Sequence, residues 1–242
     1  MDDRIPASCH GYRQYCRFRD MRSRSYSAAH CHSRFAAMST SVLFLHGLGE
    51  TSQAWNDVIE ELENIDALTP DIFDQLSGMS WSLYERTNEI AASLADPVHV
   101  VGLSLGAVIG LDLAIRHPHT VRSLFLSAPQ ARPSKALMHI QSALMKILPE
   151  RLVCPPQISK QQLLQILGQV STIHFEPELP NIRVPTTIAC GSKDRANLPA
   201  ARTISQQIPH ARLIVVPNAG HQWSQTIPME FDQELQAHWD CI

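Results

Sequence analysis

This sequence predicts an α/β fold: a mostly parallel sheet of about six strands, helices on both faces, and a helical insertion that reads as a lid. Three observations carry it. Short, uniformly apolar runs recur along the chain, as strands covered on both faces require. Stretches of helical periodicity lie between them, which is how parallel strands are joined. The 242 residues, with 44% hydrophobic and 18% charged side chains, can bury one large core without disulfide or metal staples.

The elements follow in order. Val42–Leu45 is an apolar run ended by His46-Gly47, a buried strand. Ser52 is placed to cap a helix through about Leu62, with Trp55, Val58, Ile59 and Leu62 on one face. Ala67–Thr69 is a brief strand stopped by Pro70, and Leu83–Leu94 is helical. Val98–Val101 is a strand, and Leu105–Arg116 a helix that ends before Pro118. Ser123–Ser127 is a strand; Thr186–Cys190, Pro199–Ile208 and Arg212–Val216 continue as strand, helix, strand; Pro228–His238 closes as a helix. The alternation breaks from about Pro129 to Leu179. That region holds the helical patterns Lys135–Leu148 and Ser159–Val170, with Pro149, Pro155 and Pro156 between them. It reads as a lid of about residues 129–179, with ordinary core-packing helices as the alternative.

Charge divides the chain. The formal charge of −3 gives no general reason to expect a nucleic-acid partner. Residues 1–37, however, carry seven arginines against three acids, a net +4, leaving −7 over Met38–Ile242. That stretch shows no periodicity and no apolar run long enough for a signal-peptide core, so it reads as a disordered basic extension before a domain at 38–242. An organelle transit peptide or a basic arm for an acidic partner are the competing readings. Of six cysteines, Cys9, Cys16 and Cys31 lie in the extension, while Cys154, Cys190 and Cys241 are far apart. No C-x-x-C exists, so reduced thiols and a cytoplasmic location are the expectation. No stretch approaches a membrane span of roughly 18 apolar residues. No P-loop or Gly-x-Gly-x-x-Gly implies a nucleotide cofactor, and His117-x-His119 lacks a third metal ligand at a recognisable spacing. The expectation is therefore no cofactor, no metal, and a small-molecule substrate; the oligomeric state is not legible.

The strongest local signal is Gly102-Leu103-Ser104-Leu105-Gly106, between a strand and a helix. A serine there sits on a sharp, strained turn that lifts its hydroxyl above the sheet. A hydroxyl is a poor nucleophile unless a base takes its proton. Nine histidines follow the extension. His221, in Asn218-Ala219-Gly220-His221, follows a strand and so shares the carboxyl edge of the sheet with Ser104, where ligands bind. A carboxylate must then fix the imidazole tautomer. Asp194, in Gly191-Ser192-Lys193-Asp194, follows a strand at that same edge, whereas Asp71 and Asp74 lie farther along the sheet. The order Ser104, Asp194, His221 is the one expected with such a turn. His46, Gly47 and Trp223 are candidate pocket residues, His46 reading better as loop support.

Taken together, Leu43-Phe44-Leu45-His46-Gly47, Gly102-Leu103-Ser104-Leu105-Gly106, Gly191-Ser192-Lys193-Asp194 and Gly220-His221 resemble the α/β-hydrolase superfamily from roughly Ser41 onward. The resemblance implies an α/β-hydrolase fold and an oxyanion hole made by the backbone N–H groups of Leu48 and Leu105. It departs in three ways. The first two strands of the family are absent, Asp71-Ile72-Phe73-Asp74-Gln75 replaces the usual Gly-x-Gly-x-Ser turn, and Ala107 stands where many relatives have Gly.

The expected function is a serine hydrolase, esterase-like, cleaving an ester, thioester or lactone of a small, moderately hydrophobic substrate. Leu137, Ile140, Leu144, Leu163, Leu164 and Leu167 make the lid apolar. Two alternatives stay open. One is a lyase or carbon–carbon hydrolase on a carboxylate-bearing metabolite, with Arg132 or Lys135 binding the acid. The other is a non-catalytic binding protein on the same fold.

Overall fold

The computed structural model describes residues 40–73, 81–133, 135–154 and 158–242. The basic extension at 1–37, Asp74-Gln75 and Pro155-Pro156 lie outside the described residues, as do the side chains of Lys135, Leu137, His139 and Ile140.

Six strands form one sheet: β1 (Thr40–Leu45), β2 (Ile65–Leu68), β3 (Val98–Leu103), β4 (Val121–Ser127), β5 (Thr186–Gly191) and β6 (Arg212–Val216). Their order is β2-β1-β3-β4-β5-β6, and every neighbouring pair is parallel. The chain starts inside the sheet, adds β2 on one side and returns to add β3 on the other. Strand order therefore reverses between β1 and β3, which opens a crevice at their carboxyl ends.

The connecting helices are α1 (Asn56–Glu61), entered through a 3-10 turn at Ser52–Trp55, α2 (Leu83–Ser93), α3 (Leu105–Arg116), α4 (Lys135–Ile147), α5 (Glu150–Val153), α6 (Lys160–Val170), α7 (Leu198–Gln207), α8 (Trp223–Thr226) and α9 (Pro228–Trp239). Two starts differ from expectation for local reasons. The first helix is capped by Thr51, whose hydroxyl accepts from the Gln53 N–H, rather than by Ser52, which is already inside the turn. α7 begins at Leu198, so Pro199 falls in its first turn, where a missing N–H costs nothing. Ser159 does cap α6, in a reciprocal box with Gln162.

Strand residues alternate between two cores, as the period of two demands. Leu43, Leu45, Val100, Leu124, Leu126 and Ile188 pack with α2, α3, α7 and the α4–α6 insertion. Val42, Phe44, Val101, Phe125 and Ala189 face α1 and α9. On that second face Phe231 is the hub, with ring centroids 4.5 Å from Trp223, 5.2 Å from Phe125 and 5.5 Å from Trp55. Emptying such a site (Phe→Ala) typically costs about 3–5 kcal/mol. The insertion is anchored too. Met138, Ile158, Leu163, Ile166 and Leu167 are buried, and Gln169 of α6 bonds the Trp81 carbonyl and the Leu83 N–H ahead of and within α2. Among the described residues no helix is long and apolar enough to cross a membrane.

Candidate active site

Ser104 stands between β3 and α3 with φ 54° and ψ −112°, a backbone state that non-glycine residues avoid and that functional sites hold under strain. The surroundings enforce it. The Ser104 N–H donates to the Ser127 carbonyl at 2.9 Å, and its carbonyl accepts from Val108 at 3.0 Å. The flanking glycines are required by close approach: a Cβ on Gly106 would lie 2.0 Å from the Leu45 carbonyl oxygen, and one on Gly102 would lie 2.7 Å from the Gly106 oxygen. Two backbones cross here with no room for a side chain.

β1 ends beside this turn, and its loop brings up Gly47 and Leu48. A Cβ built on Gly47 would lie 3.5 Å from that of Ser104. Leu48, Ser104 and Leu105 all line one cavity. Among the described residues the Leu48 N–H donates no loop or turn hydrogen bond to the backbone, and Leu105 is the first residue of α3, where an N–H has no partner within the helix.

The loops after β5 and β6 supply the other two residues. They are stapled by glycine as well: a Cβ on Gly191 would lie 2.3 Å from the Gly220 carbonyl oxygen. Across this contact His221 Nδ1 lies 2.6 Å from Asp194 Oδ2. Asp194 is a carboxylate, so Nδ1 carries the proton and Nε2 is left as the basic nitrogen. Burial pushes the Asp194 carboxyl up, but the hydrogen bonds from His221 and Asn197 and the His221 charge outweigh it, and the group settles below the usual carboxylate range. It is ionised at neutral pH.

Ser104 and His221 stand close together, although no hydrogen bond joins the hydroxyl to the ring among the described residues. Two links hold the halves in place. Glu50 Oε2 accepts from the Gly47 N–H at 2.8 Å, while its Oε1 accepts from Gln222 and Gln225 at 2.7 Å each, which ties the β1 loop to the residues just after His221. Asn197 Nδ2 donates to Asp194 Oδ1 at 2.9 Å and Oδ2 at 3.0 Å, and Asn197 Oδ1 accepts from Gln130 at 2.8 Å. Gln130 and Asn197 both line the Ser104 cavity.

Glu50, Gln130 and Asn197 escaped the sequence reading. Only Asn197 left a trace there: an Asn three residues after an Asp is placed to bond it in a tight turn. His46 and Trp223 are fully buried and stand apart from that cavity's lining. The His46 ring accepts from the Ile72 N–H at 3.1 Å and donates to the Gly47 carbonyl at 3.0 Å, bracing two loops. The Trp223 indole donates to Ser127 at 2.7 Å. Arg132 is exposed, paired with Glu176 at 3.4 Å, and lines a different cavity. The Cys190 thiol, raised to about 12 by burial and by the Asp194 charge, is no competing nucleophile. Among the described residues no group of three or more His, Cys, Asp or Glu side chains is arranged to hold a metal ion.

Comparison with known proteins places this geometry in a family. Residues 42–235 match the model of the alpha/beta hydrolase family. A pimeloyl-[acyl-carrier protein] methyl ester esterase of Neisseria meningitidis is 24% identical over 222 residues, covering 74% of this chain and 86% of that protein. A putative carbamate hydrolase of Azorhizobium caulinodans is 26% identical over 240 residues, covering 81% and 89%. Among solved structures, the enol-lactonase of Burkholderia xenovorans superposes with a TM-score of 0.72 at 18% identity, covering 84% of this chain and 92% of that one. The chain belongs to the alpha/beta hydrolase family.

Proposed function

We propose that this protein is a serine hydrolase that cleaves an ester, thioester or lactone of a moderately hydrophobic substrate through an acyl-enzyme. The observation that carries the reading is the 2.6 Å contact between His221 and Asp194 at the rim where Ser104 is held in its strained turn. Similarity to an esterase and a carbamate hydrolase supports carbonyl chemistry.

In this reading the Ser104 oxygen attacks the carbonyl carbon while its proton passes to His221 Nε2. The carbonyl oxygen gains the electron pair and rests on the N–H groups of Leu48 and Leu105, and losing one such donor typically costs about 2.7–4 kcal/mol. Asp194 stabilises the imidazolium. His221 then protonates the leaving group, takes a proton from water as the hydroxide attacks the acyl carbon, and returns that proton to the Ser104 oxygen as the acyl–serine bond breaks. Asn197 and Gln130 act as positioning residues behind the acid. Helices α4–α6 cover the acyl side as a lid, with Met138, Leu167 and Val170 offering apolar surface to the cavity.

A fluorophosphonate probe tests this directly. It should label Ser104 in the native protein and leave Ser104→Ala unlabelled, and that variant should lose about 10⁵-fold or more in ester turnover while unfolding at the same temperature. Near-normal turnover in Ser104→Ala rejects the nucleophile. A folded native protein that neither labels nor turns over any ester is instead a binding protein.

A further inference from the structure

The cavity at Ser104 is small, about 90 Å³. Ligand pockets usually run from about 300 to 1,000 Å³, so this chamber alone admits only the reacting end of a substrate. A second cavity of about 280 Å³ lies between α4 and α6, bounded by Met138, Ser142, Lys146, Leu164, Leu167, Gly168 and Ser171. Met138 and Leu167 line both. They are therefore the wall between the two chambers, and joined together the volumes reach the ordinary ligand range.

The wall is built to yield on one side. Met138 is unbranched, with three side-chain torsions, and adapts to irregular space at low cost. Both Met138, 7% exposed, and Leu167, 2% exposed, are buried, and of the two only Met138 is unbranched. Beyond it the floor is Gly168, where a Cβ would meet nothing within 4 Å. A glycine inside a helix gives up about 0.8–1.0 kcal/mol relative to Ala, and here it leaves space rather than relieving a clash. The lining is mixed: Met138, Leu164 and Leu167 are apolar, while Ser142, Lys146 and Ser171 are polar.

Building on the serine-hydrolase reading, we infer that Met138 is a gate: the substrate's acyl chain passes it from the Ser104 chamber into the α4–α6 chamber, so the enzyme takes medium-chain acyl groups. The carbonyl sits at Ser104, the first methylenes lie against Val108, Met138 and Leu167, and the tail lies in the α4–α6 chamber against Leu164.

Chain-length profiles of p-nitrophenyl esters from acetate to dodecanoate test the gate. Gly168→Leu fills the second chamber from a position with open space. It should lower kcat/KM for the octanoate and decanoate esters at least tenfold while leaving the acetate ester within about twofold. Met138→Ala should open the wall and raise the decanoate-to-butyrate ratio severalfold. If both variants keep the native profile, or Gly168→Leu slows acetate and decanoate equally, the second chamber takes no acyl chain and the inference falls. Binding of a fluorescent medium-chain fatty acid to Ser104→Ala separates this from the chemistry. Binding lost in Ser104→Ala/Gly168→Leu supports the chamber even if every ester proves inert, and binding unaffected by Gly168→Leu overturns it.

Discussion

The sheet holds serine and histidine together twice. At its carboxyl rim Ser104 stands near His221, with Asp194 behind the ring. In the body of the sheet Ser123 of β4 lies 2.8 Å from His99 Nδ1 and 2.9 Å from His238 Nε2, and Thr187 lies 2.9 Å from the other nitrogen of His238. Judged by hydrogen bonds alone, the buried file is the better formed. It nevertheless lacks what chemistry needs. Ser123 is 1% and His238 3% exposed, no carboxylate bonds either ring among the described residues, and Ser123 lies inside β4 without a positive φ. Ser104 has an acid two groups away, a cavity, candidate N–H donors and a strained backbone. On the proposed serine-hydrolase reading, the difference between the two pairs lies in their surroundings rather than in the pairs themselves.

Removing the charge that only the rim possesses should have the largest effect. Asp194→Asn keeps the shape but supplies an amide where His221 needs an acceptor, favouring the wrong tautomer. The same exchange in a serine protease triad lowers kcat about 10⁴-fold. Ester turnover should fall by a comparable factor here, with the unfolding temperature little changed. A loss of less than tenfold would put the orienting acid elsewhere.

Acid should expose the buried file next. Burial, and then the nearby charges of His99 and Arg212, lower the His238 pKa from 6.5 to about 4. His99 is lowered as well, by burial and Arg122. A histidine with a depressed folded pKa binds fewer protons folded than unfolded, so its contribution is complete above about pH 6.5 and is lost as pH falls toward 4. That depression corresponds to roughly 3 kcal/mol at the low end, about 2 of it gone by pH 5. Urea unfolding at pH 7 and pH 5 measures it, and His238→Gln should flatten the difference.

Only the rim half of this contrast can be read from the sequence, for reasons that differ by residue. Apolar runs such as Ser123–Ser127 announce buried strands, though β4 begins two residues earlier at Val121, and Gly102 and Gly106 announce a crossing too tight for a side chain. Asp194 and His221 could be picked out because each follows a strand and so shares the carboxyl rim with Ser104. Side-chain partners across the sheet leave no such mark. Ser123 and His238 are 115 positions apart, and only folding shows that they meet. Glu50 reaches Gln222 across 172 positions, so it reads as an ordinary loop acid until the β1 and β6 loops are brought together. The insertion lies between these cases. Its helices are visible as Leu and Met periodicity, yet the partition formed by Met138 and Leu167 depends on how α4 packs against α6.

The smallest effect concerns Asn197, whose two hydrogen bonds to Asp194 at 2.9 and 3.0 Å have no counterpart in the buried file. Hydrogen bonds to a charged group contribute about 1.5–3 kcal/mol each, but only the part that differs between ground and transition state appears in the rate. Asn197→Ala should lower kcat about tenfold and leave KM for a short ester within about twofold. It should also move the acid limb of the activity profile to higher pH, because the bonds from Asn197 help hold the Asp194 carboxyl low. A carboxyl that protonates sooner stops supporting the imidazolium sooner. If kcat drops with the acid limb unmoved and the unfolding temperature falls in step, Asn197 only packs the turn, and Asp194 is then oriented by the His221 contact and its own backbone.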